Sequence, residues 1–137
     1  MIRAVIDTNV LVSGLLSPNG NEALILLAVR QGLVRPCLLE EIIAEYVGVL
    51  ARPKFAFTST LIVSLIAEFR EKGEMFRPKG SLTTSPDPAD TKLLHCAEAA
   101  EAEFIVTGNK RHFPDAPYGT IRVVNAGELL DRITLEL

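Results

Sequence analysis

The sequence predicts an α/β domain in which helices cover both faces of a central, mainly parallel β-sheet, a three-layer α/β/α arrangement. Three observations predict it. Short apolar runs typical of buried strands alternate with longer stretches of helical periodicity. Polar residues follow the strands directly, where ligands gather in parallel sheets. The length of 137 residues suits one domain, which we take to span residues 1–137.

The first half of the chain is predicted to hold two strands and four helices. The run Ile2–Ile6 is mostly apolar and ends at the polar residues 7–9, so it predicts the first strand. Apolar residues recur every three or four positions over residues 38–51, which predicts an amphipathic helix. Pro53 ends this helix. The remaining elements are a helix over 10–16, a helix over 21–31 capped by Asn21 and stopped by Gly32, a strand over 33–37, and a helix over 60–70 broken at Lys72 and Gly73.

The second half is predicted to hold three strands and two helices. Asp87 followed by Pro88 is typical of a helix start and predicts a helix from residue 87 to about residue 102. Asn125 and Glu128 form an N-x-x-E capping box, which predicts the start of the last helix. The remaining elements are a short edge strand at residues 75–76, a loop rich in Ser and Thr over 78–86, and strands over Phe104–Val106 and 121–124.

Composition argues against several classes of protein. Charged residues make up 23% of the chain and the net charge is -3, which argues against broad, non-specific nucleic-acid binding but not against a local basic patch. Cys37 and Cys96 are expected to be buried free thiols, since two cysteines and two histidines offer no zinc-ligand spacing. The longest apolar run, residues 23–29, is too short to span a membrane, and the N-terminus lacks the zones of a signal peptide. We therefore expect a cytoplasmic protein without a membrane segment.

Four acidic residues stand where a parallel sheet would gather a site. Asp7 follows the first strand, so its carboxylate is expected at the carboxyl edge of the sheet, although Asp is also a favoured helix cap. Asp87 and Asp90 begin a helix, either as a conventional helix start or as ligands beside a helix N-terminus. Glu45 lies at the border of the apolar stripe of its helix, where it can face solvent or enter a cleft.

Two polar turns complete the candidate site. Thr8 and Asn9 follow the first strand, and Thr107 and Asn109 follow a later one in the same way. The side chains of these Thr and Asn residues can orient a metal-bound water or contact phosphate. Lys110 begins a run of three basic residues that can place positive charge at this edge. The alternative is an ordinary turn followed by solvated charges.

The clustered carboxylates indicate a metal-dependent hydrolase. Carboxylates that converge without a cation repel one another and raise one another's pKa, and a divalent ion relieves that repulsion. All-oxygen ligand sets favour Mg²⁺ or Mn²⁺ over zinc. Such a site activates water for in-line hydrolysis of a phosphodiester. We predict that Asp7, Glu45 and Asp90 are catalytic and bind Mg²⁺ or Mn²⁺, with Asp87 as a further metal ligand.

Four segments of the chain, taken together, match a known family. They are V-I-D-T-N-V-L at residues 5–11, E-Y-V-G-V-L-A-R-P-K-F at residues 45–55, D-P-A-D at residues 87–90 with Ala97 downstream, and V-T-G-N-K at residues 106–110. In this order, and spanning nearly the whole chain, they resemble the PIN domain family. Within that family the chain is similar to the toxin-like PIN proteins of bacteria and archaea.

The resemblance implies a PIN-like fold with a central parallel sheet, and a metal-dependent ribonuclease that hydrolyses RNA. Asp7, Glu45 and Asp90 match the first three acids of the family. The fourth acid usually follows the Thr-Gly turn, where this chain has Asn109, whose neutral oxygen binds a cation less strongly than a carboxylate. Many toxin-like members are held inactive by a cognate antitoxin and form dimers, so the resemblance implies an antitoxin partner and a homodimer.

Two other functions are open from the sequence. One is a different phosphoryl-transfer enzyme. A haloacid-dehalogenase-like phosphatase needs D-x-D after the first strand, where this chain has D-T-N, and a response-regulator receiver needs an acid pair there and a phosphorylated Asp that ends a middle strand. The other is a non-catalytic PIN-like module that binds RNA or protein. Asn109 favours this module, because it removes a metal-binding charge.

Overall fold

The described part of the chain contains five β-strands in one parallel sheet. The computed structural model describes residues 1–78 and 88–137. The strands are β1 (Ile2–Ile6), β2 (Val34–Leu38), β3 (Glu74–Met75), β4 (Phe104–Val106) and β5 (Arg122–Val124). Their order is β3-β2-β1-β4-β5, and each neighbouring pair runs parallel. The predicted parallel sheet is therefore confirmed, with β1 at its centre.

Helices surround this sheet and connect its strands. They are α1 (Thr8–Leu16), α2 (Asn21–Arg30), α3 (Glu40–Leu50), α4 (Ser59–Lys72), α5 (Pro88–Ala100) and α6 (Ala126–Glu136). Helix α5 packs against β1, β2 and β4, while α2 and α4 pack against β2, and α6 packs against α2. This arrangement confirms the predicted three-layer α/β/α fold. Each parallel strand needs such a helical crossover, which explains the alternation along the chain.

None of the described helices is by itself long and apolar enough to cross a membrane. Helices α1 and α2 meet the length and composition limits only as a pair, and the pair is bent by 104°. Both helices bury side chains in the core of the protein.

The core is centred on β1, whose apolar side chains are inaccessible on both faces of the sheet. Strands buried on both faces are typical of parallel sheets covered by helices. Tyr46 of α3 and Phe69 of α4 are the largest fully buried side chains, and their rings meet edge to face with centroids 5.9 Å apart. The polar residues that follow β1 therefore extend from the most rigidly packed strand.

Several predicted helix boundaries are shifted, for identifiable reasons. Helix α1 begins directly after Asp7, two positions earlier than residue 10. Asn21 is the first residue of α2, whereas Gly20 occupies the cap position, so the predicted Asn21 cap is wrong. Helix α4 begins after Thr58, whose side chain accepts a hydrogen bond from the Leu61 amide, and it ends at Gly73. A Cβ at Gly73 would lie 2.4 Å from the Pro36 carbonyl oxygen, so only glycine fits there.

Other predictions are confirmed or fall outside the described residues. Asn125 and Glu128 form the predicted capping box of α6, and Cys37 and Cys96 are buried free thiols. Two short 3-10 helices, Pro53–Phe55 and Lys110–His112, were not predicted. The predicted helix start at Asp87, and all but the first residue of the predicted loop over 78–86, lie outside the described residues.

Candidate active site

Polar side chains meet where three neighbouring strands end. Asp7 follows β1, Thr107 follows β4 and Asn125 follows β5. The ladder of backbone hydrogen bonds continues through the first two of these residues. The Asp7 amide donates to the Val106 carbonyl at 2.9 Å, and the Thr107 amide donates to the Val124 carbonyl at 2.9 Å. The sheet therefore fixes the backbone of Asp7 and Thr107 side by side at its carboxyl edge.

Asp7 is held by side-chain hydrogen bonds and is nearly inaccessible, with 8% of its surface exposed. Its backbone occupies the cap position of α1, but its carboxylate makes no capping hydrogen bond to a described amide. Instead Oδ2 accepts a hydrogen bond from Thr107 Oγ1 at 2.7 Å and one from Asn9 Nδ2 at 3.2 Å. Burial raises the pKa of Asp7 above its ordinary value, and the negative charge of Glu45 adds to that rise, while the Thr107 hydrogen bond opposes it.

Glu45 enters the cleft from α3 instead of facing open solvent. Its Oε2 accepts a hydrogen bond from the Thr8 hydroxyl, and its Oε1 pairs with Lys92 Nζ at 2.9 Å. Both side chains of this ion pair are about one-fifth exposed. Thr8 is the neighbour of Asp7 in the chain, so the first turn of α1 holds the two acids next to each other.

Asp90 completes the set from the first turn of α5, with 6% of its surface exposed. Its Oδ2 lies 3.0 Å from His112 Nδ1. The same histidine lowers the pKa of Asp7 through its charge, so it lies near both acids. The structure therefore gathers the three acids predicted from the sequence at one edge of the sheet. Asp87, the fourth predicted acid, lies outside the described residues.

Asn109 and Lys110 follow Thr107 in the turn after β4. The backbone N–H of Asn109 donates to Thr107 Oγ1 at 3.0 Å. Asn109 also lines a cavity of about 240 Å³ together with Asn9 and Thr107. Lys110 Nζ pairs with Glu128 Oε1 at 2.9 Å, at the start of α6. Lys110 therefore connects the turn after β4 to α6. Its partner, Glu128, is not one of the three acids predicted to be catalytic.

Two residues of the site were missed in the sequence. Lys92 was not considered, and His112 was noted only as part of a basic run. Both touch a predicted acid: Lys92 binds Glu45, and His112 binds Asp90. The sequence could have indicated Lys92, because it stands two residues after Asp90 in the first turns of the same predicted helix. The pairing of His112 had no signal, because it depends on the short 3-10 helix.

The donor chemistry of the site fits a divalent cation, although its side chains do not form a closed ligand set. Within residues 1–78 and 88–137, no three His, Cys, Asp or Glu side chains are grouped closely enough to hold an ion. Glu45 and Asp90 each contact a nitrogen atom of a neighbouring side chain, Lys92 and His112 respectively. Two nearly inaccessible carboxylates beside a third nevertheless provide the oxygen donors that Mg²⁺ or Mn²⁺ binds. Asp7, Glu45 and Asp90 are the residues that would hold it.

Comparison with known proteins gives two matches. A family model described as PIN domain matches residues 3–111 of the chain. An uncharacterized protein of Methanocaldococcus jannaschii is 30% identical over 113 residues, which cover 80% of this chain and 72% of that protein. The family match contains all four segments that carry the resemblance, and with them Asp7, Glu45, Asp90 and Asn109.

Proposed function

The chain belongs to the PIN domain family, and on that premise we propose that it is a ribonuclease that uses Mg²⁺ or Mn²⁺ to hydrolyse phosphodiester bonds in RNA. PIN domains are generally metal-dependent nucleases. The observation that carries the proposal is the convergence of Asp7, Glu45 and Asp90, two of them nearly inaccessible, at the carboxyl edge of the sheet. Acids that lie together in one cleft, with the pKa of Asp7 raised by its burial, are typical of functional sites.

Each residue has a role in this proposal. Asp7, Glu45 and Asp90 hold the metal, which supplies an activated water and neutralises charge on the phosphate when bound. Thr107 and Asn9 hold the Asp7 carboxylate in one orientation through hydrogen bonds to Oδ2. Thr8 holds Glu45 in the same way. These hydrogen bonds keep the acids in place, which lowers the reorganisation needed during the reaction.

The decisive experiment is cleavage of a labelled, structured RNA by the purified chain with Mn²⁺, with Mg²⁺ and with EDTA. We expect cleavage with either ion and none with EDTA. A folded chain, free of any bound partner, that cuts under none of these conditions would overturn the proposal. It would favour a PIN-like module that binds RNA or protein without cutting, for which Asn109 in place of an acid is the supporting observation.

The proposal extends to partners and compartment. We propose a cognate antitoxin protein that inhibits the chain, and a homodimer, on the strength of the resemblance to toxin-like members. We also propose a cytoplasmic location, supported by the two buried free thiols, which suit a reducing compartment. Sedimentation of the purified chain over a range of concentrations tests the dimer, and a monomer throughout would reject it.

The ion pair between Lys92 and Glu45 gives a prediction about metal affinity. Replacing Lys92 with Gln removes the ammonium group that occupies Glu45 Oε1. We expect Mn²⁺ to bind up to about fivefold more tightly, because a partly exposed ion pair contributes at most about 1 kcal/mol. Calorimetry measures the change. Lys54→Gln is the matched control, since Lys54 is exposed and lies over the Phe55 ring, away from the acids. Equal or weaker binding in Lys92→Gln would contradict this prediction.

Asn109 gives a second prediction about the metal. Asn109→Asp adds a carboxylate where the family usually has one, beside Thr107 and Asn9. We expect Mn²⁺ to bind several-fold more tightly, because cation affinity rises with the charge of the ligand set. Calorimetry on this variant and on Asn19→Asp, an exposed loop position, separates a local effect from a change in net charge. Unchanged affinity in Asn109→Asp would remove this position from the metal site.

A further inference from the structure

A groove lined by asparagine and acidic side chains lies between α1, α2 and α6, close to Asp7. It consists of two cavities of about 680 Å³ and about 240 Å³ that share Glu22, Gly108, Asn125 and Ala126. We call this the amide groove. Its inner end is lined by Asn9, which donates to the Asp7 carboxylate. Its volume falls in the range of small-molecule sites, about 300–1,000 Å³. A ligand group in the groove would therefore lie one side chain away from the proposed catalytic acid.

The charges of the lining exclude phosphate as the occupant. Among the described residues that line the amide groove there is no Lys, Arg or His, whereas Glu22, Glu128 and Asp131 are acidic. A phosphate would be repelled by these acids. Lys110 lies at the edge of the groove, but its Nζ is already paired with Glu128 Oε1 at 2.9 Å. Lys92 and His112 instead lie against the proposed catalytic acids Glu45 and Asp90. An RNA strand bound at those acids would place its phosphates beside Lys92 and His112, with a base turned toward the groove.

The hydrogen-bonding groups of the groove suit a flat polar ligand. Asn125 uses its Oδ1 to accept from the Glu128 amide, and its Nδ2 donates to no described residue. Asn21 extends across the groove, with Nδ2 3.2 Å from the point where a Cβ on Gly127 would stand. The groove thus offers amide donors from Asn21 and Asn125, and Glu22 of α2, whose carboxylate is a pure acceptor, lines both of its cavities. Free amides and carboxylates are the groups that proteins use to read the edges of bases.

We infer that the amide groove is a nucleobase pocket that selects an amino-bearing base, guanine above all, next to the bond that is cut. Guanine presents two adjacent N–H donors on its Watson–Crick edge, which one carboxylate such as Glu22 can accept together. Cytosine and adenine each present one amino group, whereas uracil presents a single N–H between two carbonyl oxygens that a carboxylate repels. The expected order of binding is guanosine first and uridine last. This inference rests on the proposed nuclease function.

The test uses nucleosides, so that it needs neither metal nor cleavage. The full chain, labelled with ¹⁵N, is titrated to millimolar concentration with guanosine, adenosine, cytidine and uridine in turn. We expect saturable shifts of the Gly108 and Gly127 amides and of the side-chain amides of Asn21 and Asn125, strongest with guanosine. Shifts that do not saturate, that lie elsewhere, or that are equal for the four nucleosides would overturn the inference.

Variants make the assignment specific. Glu22→Gln is expected to weaken guanosine binding about tenfold, as loss of a charged hydrogen-bond partner does, and to strengthen uridine binding, because the neutral amide no longer repels the uracil carbonyl oxygens and can donate to one of them. Glu136→Gln, on α6 but outside both cavities, is the matched control and should bind as the unmodified chain does. Gly127→Ala offers a second variant, because its Cβ crowds Asn21 and narrows the groove. Equal guanosine binding in Glu22→Gln and the control would overturn the role of Glu22.

The two proposals can fail separately. A chain that binds guanosine in the groove but does not cut RNA would keep the pocket and overturn the nuclease. A chain that cuts RNA with metal but shows no nucleoside shifts in the groove would keep the nuclease and overturn the pocket.

Discussion

Asp7→Asn is expected to lower the rate of RNA cleavage at least about a hundredfold, equivalent to about 2.7 kcal/mol of transition-state stabilisation. Asp7 is the acid fixed most firmly, through the β1–β4 ladder and the hydrogen bonds from Thr107 and Asn9. Asparagine keeps the shape of the side chain but removes the charge that would hold the metal. Cleavage rates at saturating Mn²⁺ measure the effect, because saturation separates a slower reaction from weaker metal binding.

The same substitution should leave the fold intact. Because burial raises the pKa of Asp7 in the folded state, its stabilising contribution is complete below the unfolded pKa and is lost as the pH rises through the folded pKa. Above that folded pKa, and without metal, the ionised carboxylate therefore disfavours folding. Asp7→Asn should then be at least as stable as the unmodified chain in urea unfolding with EDTA. Its Oδ1 can still accept the Thr107 hydrogen bond.

A control separates this effect from a general loss of charge. Asp115→Asn changes an exposed acid in the loop after the Lys110–His112 turn, and it should cut at the unmodified rate. Undiminished cleavage by Asp7→Asn would remove Asp7 from the catalytic set. A loss of cleavage accompanied by a loss of stability would show instead that the charge supports the fold, contrary to the direction of its pKa shift.

The position of Asp7 could be predicted because it follows from backbone geometry. A residue directly after a buried strand must lie at the carboxyl edge of a parallel sheet, which places Asp7 and Thr107. The start of α5 and the border of an apolar stripe made Asp90 and Glu45 candidates, but an ordinary helix start and a solvent-facing acid fit the same patterns. The resemblance to the PIN domain family singled these two acids out.

The partners of the acids could not be predicted, because they depend on side-chain direction between elements far apart in sequence. Lys92 reaches Glu45 across the contact of α5 with α3, and His112 reaches Asp90 from a 3-10 turn without a sequence signal. The side-chain direction of Asp7 could not be predicted either. Its backbone is at the cap position, yet its carboxylate turns to Thr107, because a hydroxyl from the adjacent strand lies 2.7 Å away.

Tyr46→Ala is expected to reduce the free energy of unfolding by about 3–5 kcal/mol, a large share of the about 5–15 kcal/mol of a typical domain. Tyr46 is fully buried, packs edge to face on Phe69, and donates its hydroxyl to the carbonyl of Ile6, the last residue of β1. Burial raises the pKa of Tyr46 well above its ordinary value, so the hydroxyl keeps its proton and remains a donor at neutral pH.

Tyr46→Phe isolates the hydroxyl, because the ring and its packing remain. We expect a loss of about 1–3 kcal/mol, since the buried Ile6 carbonyl loses a donor. Tyr118→Phe is the matched control, because the Tyr118 hydroxyl is enclosed and accepts or donates no hydrogen bond within the described residues, so its removal should not lower stability. Urea unfolding measures all three variants, and equal effects of the two Phe substitutions would contradict the role of the Ile6 contact. Tyr46 follows Glu45 on α3, and Ile6 precedes Asp7. This hydrogen bond therefore links the two segments that carry two of the proposed catalytic acids, and Tyr46→Phe should also slow cleavage.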